Sequence, residues 1–190
     1  MQKTLPPYRI IRSKRRTLGL QVTRDGVVVR APYFVTEVRI RGFVSGHLDW
    51  IEHQMSRQAA LLERTSEVPR LTQEDLRALK EDARADLTAR VRHFASLIGV
   101  SYGRITIRAQ KTRWGSCSRE GNLSFNCLLM LAPEETRDST IIHELCHRRH
   151  MDHSDAFYRE VYRYCPDYDR SSAWLKKHGP ELIARLPEKP

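Results

Sequence analysis

The segment HELCHRRHMDHS, residues 143–154, constrains this chain more than any other stretch. It holds four of the chain's eight histidines. His143 and His147 are four residues apart. On an α-helix that is one turn plus about 40°, so both imidazoles leave one face. Two rings so placed can bind a single metal ion through their nitrogens at about 2.0–2.1 Å. Glu144, beside the first ring, can reach a water at that metal without becoming a ligand, which is where a general base belongs. The same segment carries Ile141, Ile142 and Leu145 on its other side. The pattern therefore predicts a helix with one face in a core and the other at a metal site. Pro133, with Glu134 and Glu135 in the first turn, suits its start.

A catalytic zinc takes three protein ligands and keeps one position open. The residues leave three choices for the third ligand. His150 shares the face of His147 if the helix continues. His153 requires the helix to end near Met151 and the chain to turn back. Glu160 would supply a carboxylate instead. The spacing from His143 to His153 matches the metzincin proteases, but those carry a Gly where this chain has His150, and that Gly makes their turn.

Elsewhere the periodicity predicts an α+β chain with small antiparallel β units and long helices around a zincin-type HExxH helix. Residues 1–35 read as an N-terminal β-hairpin region, with Asp25-Gly26 at the turn and VVVRA as the return strand. Residues 36–190 read as a metallohydrolase domain, forming one compact unit with the N-terminal region. Thr36 is the expected cap of a helix running to about Leu62, and Thr72 that of a second ending at Gly99. RITIRAQ, then TRWGSCS, a turn at Glu120–Asn122 and LSFNCLLML, read as a second small antiparallel unit.

The formal net charge is +10, and residues 1–70 hold 13 Lys/Arg against 6 Asp/Glu, a surplus of +7. Such a surplus suits a polyanionic partner, so nucleic acid is a candidate partner of the basic N-terminal third. No apolar run approaches the roughly 18 residues of a membrane span, and no secretory signal is visible. The cytoplasm is the expected compartment, with no membrane partner. The four cysteines form no C-x-x-C pair and read as small buried hydrophobes.

KTRWGSCSREGNLSFN at 111–126 and LAPEETRDSTIIHELCHRRHMDHSDAF at 131–157 resemble the YgjP-like metallopeptidase family, relatives of the SprT-like and WLM zinc peptidases. RSKRRTLGLQVTRDGVVVRAP at 12–32 is similar to that family's opening. The resemblance implies zinc on His143, His147 and His153, with Glu144 as catalytic base. Where the family pattern often has an aromatic residue this chain has Cys127, a departure that touches packing or a pocket wall and not the metal. Arg113 and Trp114, read as part of an edge strand beside the zinc, are the candidate substrate-binding residues. An edge strand can align an extended peptide by β-addition. The competing role for Trp114 is core packing, with Gly115 permitting a bend.

The expected function is a zinc-dependent hydrolase acting on a peptide or protein. Two alternatives stay open. One is hydrolysis of nucleoside triphosphates, which the basic third and Arg113 would suit, although no Gly-rich phosphate loop is visible. The other is a DNA-associated, SprT-like protease.

Overall fold

A computed structural model describes residues 4–23 and 25–187. The chain divides into two compact units, Met1–Ser66 and Glu67–Pro190.

The first unit is built on strands β1 (Tyr8–Ser13), β2 (Gly19–Thr23) and β3 (Gly26–Pro32), in the order β1-β3-β2. The β2–β3 hairpin closes where the sequence places it. Gly26 takes a φ of 111°, open to glycine and costly for other residues. The β1–β3 pairing is parallel, with Tyr8 opposite Val27. Val27, Val29 and Ala31 alternate along β3 and share a core with Ile40, Val44 and Ile51. These last three lie on α1 (Glu37–Ser45) and α2 (Leu48–Ser66). Thr36 caps α1 by accepting a hydrogen bond from the Arg39 amide. The single helix expected from Thr36 to about Leu62 is thus two. The break falls at Gly46 and His47, where the low helix propensity of glycine coincides with a tightened last turn, His47 N–H bonding to the Val44 carbonyl.

The second unit starts with α3 (Gln73–Ile98). A reciprocal capping box joins Thr72 and Asp75, and a left-handed Gly99 ends the helix. Strands β4 (Ile105–Arg108), β5 (Gly115–Cys117) and β6 (Leu123–Asn126) follow, in the order β4-β6-β5. Here too one pairing is parallel, β4 with β6, and one antiparallel, β5 with β6. The α+β class is as read from the sequence, and both small sheets prove mixed. A 3-10 turn (Cys127–Leu131) leads to α4 (Glu134–Cys146), α5 (Asp155–Tyr164) and α6 (Tyr168–Ala184). Leu87, Val91 and Ala95 on α3, Phe125 on β6, and Ile141 and Leu145 on α4 make one continuous core. Cys127 is fully buried in it, as a packing residue.

Charge fixes α4 against α3. Arg90 bonds Asp86 on its own helix and reaches Asp138 at 2.7 Å and Glu134 at 3.0 Å on α4, while Arg137 bonds back to Asp86 at 3.1 Å. The guanidinium fork meets three carboxylates at once, which sets helix register as well as distance. Among the described residues no helix is long and apolar enough to cross a membrane.

Candidate metal centre

The last turn of α4 carries His143 and Glu144, and His147 follows as its C-cap. The helix ends earlier than the sequence suggests. Cys146 is its last residue, and the amides of Arg148 and Arg149 bond the carbonyls three residues back. That tightening bends the chain away without any left-handed residue. Among the described residues no non-glycine has a positive φ, so His150 needs no glycine-like backbone here. The turn brings His153 back to the helix. The ring nitrogens of His143, His147 and His153 lie within 4.8 Å of one another. The side chains of His150 and Glu160 are not in that group. His150 instead contributes its carbonyl, 2.9 Å from His147 Nδ1. Glu160 is taken by an ion pair with Arg149.

The donor atoms suit a metal. A carbonyl can only accept, so His147 must carry its proton on Nδ1, which leaves Nε2 for a ligand bond. His143 Nδ1 lies 2.9 Å from the Tyr168 hydroxyl, a contact that orients the ring. His143 Nε2 and His153 Nε2 are 3.2 Å apart. Two imidazole nitrogens on a tetrahedral zinc, each at about 2.0–2.1 Å, would sit about 3.3–3.4 Å apart. Phe157, fully buried, forms the floor: its ring is stacked under His147 at 4.5 Å and meets His143 and His153 edge-on at 4.9 and 5.0 Å. Burial lowers His143 to about 4, with His147 and His153 adding to the fall. His147 is lowered as well, chiefly by burial. Both rings are therefore neutral near pH 7, the form that binds a metal.

Glu144 is only 6% exposed, a costly place for a carboxylate without a task. Burial pushes its carboxyl up to about 8, against the pull of the Arg113 guanidinium. Its position depends on Gly115. A Cβ there would lie 2.5 Å from Glu144 Oε1 and 2.6 Å from its Cγ. The glycine of RWGSC thus makes room for the acid and does not merely permit a bend. Arg113 and Trp114 fall just before β5 and not within it. Buried Asn126 holds their loop, donating to the carbonyls of Gln110 at 2.8 Å and Arg113 at 3.1 Å. Its own amide bonds the Trp114 carbonyl.

Two cavities meet at this point. One of about 380 Å³ lies between the lead-in to β5, α4 and α6. The other, of about 320 Å³, runs along β5 toward His153. Arg113, Gly115, His143 and Glu144 line both. Trp114 is half-buried, lining the first cavity and packing on the core. Among the described residues strand β5 pairs with β6 alone and lies at the edge of its sheet.

A family model for the YgjP-like, metallopeptidase domain matches residues 69–178. The chain belongs to this family. It is therefore a peptidase-type hydrolase of a metal-dependent class, and the match supports a peptide or protein substrate while supporting neither a nucleotide nor a nucleic acid. The matched residues fall within the second unit and include every candidate site residue. A search of curated proteins gave no match. The solved structures that overlap the chain include two metallopeptidase zymogens. The metallopeptidase zymogen of Pyrococcus abyssi abylysin is 22% identical, covering 48% of this chain and 93% of that one at a TM-score of 0.44. The metallopeptidase zymogen of Methanocaldococcus jannaschii jannalysin is 20% identical, covering 48% and 94% at 0.43.

Sequence reasoning left Phe157, Asn126 and the spatial role of Gly115 unassigned. The one local signal was the position of Gly115 inside the RWGSC motif.

Proposed function

We propose that this chain is a zinc metallopeptidase in which His143, His147 and His153 hold the metal, Glu144 is the general base, and residues 36–190 contain the catalytic domain. The observation that carries the reading is the convergence of three imidazole nitrogens beside a buried carboxylate that glycine alone can accommodate. Three imidazole donors suit zinc among the available divalent ions. Once bound, zinc would polarise the scissile carbonyl and the attacking water, and its charge would keep Glu144 ionised.

The protein's own part is positional. The free edge of β5 aligns an extended peptide across the two cavities by main-chain hydrogen bonds. Arg113 and Trp114 flank that peptide. Glu144 takes the proton of the attacking water and returns it to the leaving amine. The His150 carbonyl fixes the tautomer of His147 and the Tyr168 hydroxyl orients the His143 ring, so that neither ring must reorganise during the reaction. The cytoplasm remains the proposed compartment.

The test is cleavage of an unfolded protein with and without a chelator, beside Glu144→Gln. Chelation should abolish cleavage. The variant should lose about 10²- to 10⁴-fold in kcat while keeping its zinc. Full activity in the variant would remove Glu144 from the role of base.

A further inference from the structure

We infer that Lys176 binds a carboxylate of the substrate in the cavity beside Trp114; this rests on the peptidase reading for the claim that the carboxylate belongs to a peptide. On α6 the residues lining the 380 Å³ cavity are Tyr168, Ser172, Leu175 and Lys176. Offsets of four, seven and eight residues place them on one face of the helix. Lys176 therefore belongs to the cleft. Lys177, about 100° further round, does not line it. Among the described residues Lys176 has no ion-pair partner.

The opposite wall brings a second cation, Arg113. The cavity's lining holds one carboxylate, Glu144, and the mechanism commits that group to the water. Trp114 and Leu175 supply apolar walls. The indole is seated on α6 so closely that a Cβ on Gly179 would come within 2.8 Å of it. The occupant that fits has a short apolar stem and an anionic end. A glutamate side chain and the terminal carboxylate of a peptide both meet that description.

The experiment compares peptides of one sequence in which Glu is moved position by position, each paired with its Gln counterpart, with free and with amidated C-termini. Cleavage is measured on wild type, Lys176→Met and Lys176→Glu. Binding is measured in parallel by fluorescence anisotropy on Glu144→Gln, alone and combined with Lys176→Met. At one position the Glu peptide should be favoured about three- to tenfold over the Gln peptide. That ratio should fall to near one in Lys176→Met and invert toward a Lys-containing peptide in Lys176→Glu. If the preference instead follows the free C-terminus and disappears on amidation, the carboxylate is the terminal one. Cleavage without discrimination between Glu and Gln or between free and amidated ends, or discrimination that survives Lys176→Met, overturns the inference and leaves the peptidase reading standing. Carboxylate-dependent binding through Lys176 without cleavage does the reverse. Neither binding nor cleavage overturns both.

Discussion

The two sheets of this molecule share a topology and differ in what they bury. Each has three strands, with the first parallel and the second antiparallel to the third. In the first unit the core beneath the sheet is Val27, Val29, Ala31, Ile40, Val44 and Ile51, without a buried polar side chain among the described residues. Among the described residues all seven buried polar or charged ones, Asn126, Thr136, Ser139, Thr140, Glu144, His147 and Ser171, lie in the second unit. Burying a carboxylate or an imidazole costs stability unless it is paired or employed. An apolar core serves folding alone. The polar one lies within the segment matched by the metallopeptidase family, where we propose that the chemistry is done.

That contrast can be broken from either side. The largest effect is expected at Gly115→Ala. The new Cβ must displace Glu144, and a shift near 1 Å at a catalytic group can cost about 10²-fold in rate. Zinc content should stay at the wild-type level, since Gly115 lies against Glu144 and not against a ligand ring. A variant with unimpaired kcat would mean that Glu144 relocates freely. Tyr168→Phe comes next. Removing the hydroxyl that holds His143 Nδ1 should weaken metal affinity by about 10- to 100-fold, read by competition with a chelator of known affinity. An unchanged affinity would make Tyr168 a packing residue. The smallest change belongs to the apolar core. Ile40→Val should cost about 0.5–1.5 kcal/mol in denaturant unfolding and leave metal content and kcat at wild-type values. A loss of zinc in that variant would erase the contrast between the two units.

How much of this was legible in the sequence varies with the range of the interactions. The HExxH helix, its apolar face, the Thr72 capping box and the Gly26 hairpin are set by neighbours a few residues apart, and local chemistry shows them. The parallel pairings β1–β3 and β4–β6 join strands that are not consecutive, so alternation alone could not reveal them. The division of the first long helix at Gly46 follows from a last-turn hydrogen bond that helix periodicity smooths over. At the site, His143, Glu144 and His147 follow from helical spacing. The return of His153 does not, because it depends on α4 ending at Cys146 and on the His150 carbonyl meeting His147. Phe157, Tyr168 and Asn126 reach the site only through tertiary packing, and no motif announces them. Gly115 was visible as part of RWGSC. Its reason is a contact with a residue 29 positions away in the chain, which only the fold supplies.

The central claim is that three histidines of one turn-and-return segment share a metal. Its most direct measurement is zinc per chain in untagged protein, for wild type, His150→Ala and His153→Ala, with folding checked by circular dichroism. The account expects about one zinc per chain in wild type and in His150→Ala, whose side chain lies outside the cluster, and loss of zinc in folded His153→Ala. Retention of zinc in His153→Ala together with its loss in His150→Ala would contradict it.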